Sequence, residues 1–126
     1  MGVRRALDAV LEARRRYTGV IYTYGPLIHN PQVLEVLARN NIRPLEPGAA
    51  PGSPVVIRAH GITPEERKEL KERGFVLVDA TCPRVAQVQA LAKRAAGQGK
   101  TVVILGDRDH AEVKGILGFC RSKGFV

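Results

Sequence analysis

Short apolar segments alternate with helical segments along the whole chain, and this alternation limits the possible folds more than any other feature. Strands are predicted at residues 20–24, 42–45, 55–57, 75–78 and 101–105. Helices are predicted around them, at residues 2–16, 31–41, 64–74, 83–97 and 110–117. This order is typical of a parallel sheet covered by helices. We therefore predict an α/β fold, with a small parallel or mixed sheet of about four or five strands flanked by helices.

Three of the predicted helices have clear start signals. Asn30-Pro31 and Thr63-Pro64-Glu65-Glu66 each place a polar capping side chain before a proline at the first helical position, and the second segment has the spacing of a capping box. Pro83 begins another helix and leaves Cys82 at its N-cap. Helical periodicity predicts the buried stripes of two helices: Val3, Leu7, Val10 and Leu11 in the first, and Val85, Val88, Leu91 and Ala95 in the fourth.

The pattern in the last third of the chain predicts only half of an α/β unit. After the strand at 101–105 we predict one short helix and no further strand. That lone strand must join the first sheet or leave apolar surface bare. We therefore expect a first unit over residues 1–84, a truncated second unit over residues 85–126, and self-association through the second.

The charge favours an anionic partner. The chain has 20 Lys and Arg against 12 Asp and Glu, a net charge of +8, which suits nucleic acid, an acidic membrane surface or a phosphorylated small molecule. No apolar run approaches the roughly 18 residues that span a bilayer, and the first residues do not have the apolar core of a signal peptide. With only two cysteines, a reducing cytoplasm is the expected location.

Reactive side chains follow the predicted strands. His29, His60, Cys82 and His110 each come a few residues after a strand, and in a parallel sheet those loops share one edge, where ligands bind. Any single histidine is more often an ordinary polar turn residue. Cys82 could be a small hydrophobic residue, but at a helix N-cap the unpaired amides favour a thiolate, which is a nucleophile or metal ligand. Cys120 has no such setting.

Glu112 and His110 are expected in the first turn of a helix, where backbone amides attract anions. Acidic residues are common in first turns in any case, so both readings of Glu112 stay open. The chain has no zinc-ligand spacing, P-loop, dinucleotide fingerprint or RNA-recognition motif. The residues thus favour a phosphate- or diphosphate-binding edge and do not specify a reaction.

Five segments together resemble the 4-hydroxy-3-methylbut-2-enyl diphosphate reductases, the LytB-type iron–sulfur enzymes of non-mevalonate isoprenoid synthesis. They occur in the family's order: Gly2-Val3-Arg4-Arg5-Ala6, Ile28-His29-Asn30, Ala59-His60-Gly61, Asp79-Ala80-Thr81-Cys82-Pro83 and His110-Ala111-Glu112-Val113-Lys114-Gly115. The resemblance implies small α/β units around a [4Fe–4S] cluster held by three cysteines. It also implies reductive removal of the hydroxyl of an allylic diphosphate, with a ferredoxin or flavodoxin-type electron donor.

The resemblance also implies a role for each matched residue. Cys82 would be one cluster ligand, Glu112 would deliver a proton, and His29, His60 and His110 would bind the diphosphate. The family's first cluster cysteine would stand immediately before Met1, and its third cysteine belongs to a later part of the family's chain. One thiolate does not hold a four-iron cluster. We therefore predict that this chain is a fragment without reductase activity of its own.

Two alternatives remain open. The chain could be a standalone anion- or nucleic-acid-binding module without catalysis, in which case nucleic-acid binding would depend steeply on salt. It could also hold zinc or another single metal ion on Cys82 and the histidines.

Overall fold

A computed structural model describes residues 2–25 and 30–126. The helices are α1 (Gly2–Arg16), α2 (Pro31–Arg39), α3 (Pro64–Glu72), α4 (Pro83–Gly97) and α5 (Ala111–Phe119). The strands are β1 (Ile21–Tyr24), β2 (Ile42–Pro44), β3 (Pro54–Ile57), β4 (Val76–Asp79), β5 (Val102–Val103) and β6 (Gly124–Phe125). The predicted α/β class is confirmed. None of the helices in these ranges is long and apolar enough to cross a bilayer.

The main sheet has four parallel strands in the order β2-β1-β3-β4. Along the central strand β3, successive side chains enter opposite core clusters, because strand side chains alternate between faces. Val56 packs with the buried side of α1, whereas Val55 and Ile57 pack with Leu70 of α3. The sheet is therefore covered on both faces, and the carboxyl ends of its strands lie along one edge.

The strand at 101–105 does not join the main sheet. β5 pairs in parallel with β6 in a separate two-stranded sheet, in which Val102 lies opposite Gly124 and Val103 opposite Phe125. The backbone bonds from Val102 N to Lys123 O, 2.8 Å, and from Ile104 N to Phe125 O, 2.7 Å, extend this pairing. The prediction of no strand after the last helix was therefore wrong, since two residues are too few to show a sequence periodicity.

This small sheet still leaves apolar side chains in solvent. Val103 is 68%, Phe125 65% and Leu105 95% exposed. The part of the prediction that expected bare apolar surface in this region is consistent with these exposures.

Both predicted helix stripes need correction. In α1 the buried side chains are Ala6, Val10 and Ala13, whereas Leu11 is 53% exposed. In α4 the buried side chains are Val85, Gln89, Ala92 and Ala96, whereas Val88 and Leu91 are 43% and 54% exposed. Val10 and Val85 are buried as predicted, and Leu7 packs against the core, whereas Leu11, Val88 and Leu91 were placed wrongly. The side chain of Val3 lies outside what the structure describes. Apolar size alone misplaced those three residues, because alanine on the buried face allows a helix to approach its neighbours closely.

Candidate functional site

The loops that follow β3 and β4 run side by side at the carboxyl edge of the sheet. Ala80 N–H donates to Ile57 O at 3.1 Å, and Cys82 N–H donates to Ala59 O at 2.9 Å. These bonds extend the β3–β4 pairing beyond the strands. They bring the backbone that leads to Cys82 against the backbone that leads to His60.

His60 and His110 are in contact across this edge. Their ring centroids are 5.4 Å apart, and the ring planes are nearly perpendicular, at 89°. His60 follows β3, whereas His110 precedes α5, so the pair joins the main sheet to the last helix. The predicted convergence of these two histidines is seen in the structure.

His110 is the N-cap of α5. Its Nδ1 accepts a hydrogen bond from the backbone N–H of Glu112 at 3.1 Å. An imidazole nitrogen that accepts a hydrogen bond carries no proton, so the neutral ring holds its proton on Nε2. The exposed His110 ring therefore has Nε2–H as its free donor.

Cys82 is the N-cap of α4, as its place before Pro83 predicted. Its side chain makes no capping hydrogen bond, and the residue is half-buried with a free thiol. The sulfur therefore makes no hydrogen bond to the backbone amides at the start of α4. Cys120 differs because its thiol is fully buried and donates to Ile116 O at 3.4 Å.

Asp79 anchors the loop before Cys82. It accepts hydrogen bonds from Thr81 N–H, 2.9 Å, and from the Thr81 hydroxyl, and it pairs with Arg67 at 2.8 Å. Burial alone would raise the pKa of Asp79, but the hydrogen bonds from Thr81 and Arg67 hold it below its ordinary value. We call this arrangement of Asp79 with Thr81 and Arg67 the Asp79 clamp. Its only signal in the sequence is an aspartate two residues before a threonine.

Tyr24, at the end of β1, forms a second polar cluster at the edge. Arg58 lies over its ring, 5.8 Å from the centroid. Burial, a hydrogen bond to Glu66 and the negative charges of Glu66 and Glu69 raise the pKa of Tyr24 to about 12. The sequence did not reveal this cluster, because its members lie at the end of β1, just after β3 and in α3, far apart in the chain.

The predicted site is brought together only in part. The rings of His60 and His110 are in contact, and Cys82 and Glu112 reach this edge through their backbone N–H groups, which donate to Ala59 O and to His110 Nδ1. His29 lies outside the described residues. Within residues 2–25 and 30–126 there is no group of three or more His, Cys, Asp or Glu side chains placed to hold a metal ion.

The available sulfur donors also do not fit a complete [4Fe–4S] cluster. The chain has two cysteines, and the buried, hydrogen-bonded Cys120 leaves Cys82 as the free thiol at this edge. A four-iron cluster needs several thiolates, so this chain could supply one ligand only.

Comparison with known proteins relates this chain to one protein family. The model of the LytB protein family matches residues 1–126. The 4-hydroxy-3-methylbut-2-enyl diphosphate reductase of Solidesulfovibrio magneticus is 47% identical over 108 residues, covering 84% of this chain and 38% of that protein. The enzyme of the same name from Clostridium perfringens strain 13 is 38% identical over 129 residues, covering 99% of this chain and 46% of that protein.

Two solved structures share the fold. A structure of (E)-4-hydroxy-3-methyl-but-2-enyl diphosphate reductase, the terminal enzyme of the non-mevalonate pathway, superposes with a TM-score of 0.89 at 38% identity, covering 98% of this chain and 46% of that one. The reductase structure from Plasmodium falciparum gives a TM-score of 0.90 at 27% identity, covering 98% and 40%. The chain thus spans less than half the length of each of these relatives.

Proposed function

The chain belongs to the LytB protein family, and from that premise we propose that it forms part of the active site of a 4-hydroxy-3-methylbut-2-enyl diphosphate reductase. The observation that carries the proposal is the contact between the His60 and His110 rings, next to the backbone pairing of Cys82 with Ala59. Such a reductase removes the hydroxyl of an allylic diphosphate and yields isopentenyl and dimethylallyl diphosphates. We place this activity in the cytoplasm.

The histidines are proposed to bind the diphosphate. The Nε2–H group of His110 is the free donor of its ring, because Nδ1 is occupied by the Glu112 amide. His60 faces the same space, and we assign His29 to the same role from its sequence motif. Imidazole donors and helix-terminal amides are suited to phosphate oxygens.

Glu112 is proposed to handle the proton. It lies half-buried in the first turn of α5, two residues after His110. A carboxyl group in that place can take up a proton from solvent and pass it to a ligand held by the histidines. This role and the binding role of His110 are linked, since the backbone of Glu112 fixes the His110 ring.

Cys82 is proposed as one ligand of a [4Fe–4S] cluster in the assembled reductase. The remaining cluster ligands would have to come from outside the described site. We therefore propose that the 126-residue chain alone is inactive, and that its first 84 residues and residues 85–126 belong to two successive α/β units. Electrons would come from a ferredoxin or flavodoxin-type donor.

Titration of the chain with inorganic pyrophosphate tests the proposal. Nuclear magnetic resonance should show changes at the imidazole signals of His60 and His110, with a weaker response to monophosphate. The standalone nucleic-acid module, which the +8 charge still favours, predicts another result: binding of an RNA oligonucleotide that falls steeply with salt, and no selective response of the histidines to pyrophosphate. That result would overturn the proposal.

A further inference from the structure

The side chain of Gln89 lies where the segments that carry Cys82, His60 and His110 come together. Gln89 stands in α4 seven residues after the N-cap Cys82, which places both on the same helix face two turns apart. It is a buried polar residue, 6% exposed. The sequence pattern had not singled it out.

Two glycines make room for this amide. A Cβ atom at Gly61, next to His60, would stand 2.7 Å from Gln89 Nε2, and one at Gly115 in α5 would stand 3.1 Å from the same atom. The Gly115 position also faces the carbonyl oxygen of His60, 3.8 Å from such a Cβ. Gln89 therefore fills the gap between the turn of His60 and the helix capped by His110.

Hydrogen bonding does not explain why the amide lies there. Gln89 Nε2 is buried and has no hydrogen-bond partner, although buried donors are almost always paired. An unpaired buried donor lowers stability. The remaining property of the side chain is its shape, which separates two backbone segments.

We propose that Gln89 is a positioning residue that sets the distance between the His60 turn and α5, and thereby the contact between the His60 and His110 rings. The importance of this spacing for anion binding rests on the proposed function. The contact between the two rings can be tested in the free protein, without a ligand. Gly61 and Gly115 complement Gln89, because a side chain at either position would come into close contact with its amide. At Gly61 the backbone φ of +75° also favours glycine.

The test compares the imidazole proton signals of the free 126-residue chain in three variants, with signals assigned from His60→Ala and His110→Ala. Gln89→Ala removes the spacer and should shift the signals of both rings. Gln89→Met refills the space without the amide, so the signals should return toward those of the wild type. The Gln89→Met variant also has no unpaired buried donor, so its unfolded fraction should be lower than that of the wild type, by up to about tenfold. Gln87→Ala, an exposed glutamine on the same helix, is the matched control and should change nothing.

Unchanged ring signals in Gln89→Ala would overturn the proposal, as would shifts of the same size in Gln89→Met. If Gln89→Ala does not fold, Gly115→Ala presses on the same amide from the opposite side and should move the His110 signal; an unmoved signal there would overturn it too. Failure of the wild type to respond to pyrophosphate would instead count against the proposed function, and the ring signals of the free variants would still decide the role of Gln89.

Discussion

The imidazole rings of His60 and His110 meet edge to face, although fifty residues separate them in the chain. One ring follows a strand of the main sheet, and the other caps a helix outside that sheet. The contact thus depends on how α5 is placed against the loops of the main sheet. A binding site built on it is sensitive to changes in either part.

Removal of either ring should weaken pyrophosphate binding. We expect His60→Ala and His110→Ala each to raise the Kd for pyrophosphate about tenfold, because each removes a hydrogen-bond donor to a charged group. Isothermal titration calorimetry measures this, with Gln87→Ala as the control on an exposed position. Equal affinity in the wild type and in both histidine variants would show that the anion binds elsewhere.

The chain alone should not hold a four-iron cluster. After anaerobic reconstitution and desalting, we expect well below four iron and four acid-labile sulfide atoms per chain, since Cys82 is the one free thiol at the edge. The Cys82→Ser variant should then retain about as little iron as the wild type. Stoichiometric iron and sulfide that disappear in Cys82→Ser would contradict this prediction.

Asp79 should stabilise the fold except in acid. Its pKa is held below the ordinary value of 3.8, so its contribution is complete above that pH and is lost as the pH falls through the lowered pKa. We expect Asp79→Asn to cost about 0.5–1 kcal/mol at neutral pH, because the ion pair with Arg67 is partly exposed and screened. Urea denaturation measures the difference, which should shrink in strong acid.

The exposed Asp109 gives the matched comparison for that series. Asp109→Asn removes a surface carboxylate without touching Arg67 or Thr81. It should leave the free energy of unfolding nearly unchanged at neutral pH. A loss as large as that of Asp79→Asn would show that net charge, rather than the clamp, determines the effect.

Tyr24 should ionise late in an alkaline titration. Its pKa is raised from 10.0 to about 12, so the folded state disfavours the phenolate and stability falls as the pH rises from 10 toward 12. The difference in ultraviolet phenolate absorbance between the wild type and Tyr24→Phe should therefore appear near pH 12. A difference that appears near pH 10 would mean that Glu66 and burial do not act on this phenol.

Residues 85–126 should promote self-association. Leu105 and Phe125 expose apolar surface beside the small sheet, and such surface favours association between copies. We expect Leu105→Lys to lower the fraction of dimer or larger species in sedimentation velocity. Leu11→Lys, which changes an exposed leucine of α1, should not. A wild type that is monomeric at high concentration would contradict the prediction.

The helix starts could be predicted from the sequence because their signals are local, whereas features that depend on distant parts of the chain could not. Asn30, Thr63 and Pro83 mark helix starts through interactions within a few residues, and the structure has these helices beginning at the expected places. The helix faces were harder to assign, because burial of Ala92 or Gln89 depends on partners distant in the chain. The Tyr24–Arg58–Glu66 cluster and the pairing of β5 with β6 likewise depend on tertiary contacts.

Gly115 and Gly118 make α5 a weak helix by itself. Each glycine costs about 1 kcal/mol of helix propensity relative to alanine, and a Cβ at Gly118 would come within 2.8 Å of Thr63 Cγ2. The nine residues of α5 therefore stay helical through docking against α3 and α4. Its amides should open to hydrogen exchange before those of the main sheet, and each such opening would carry His110 away from His60.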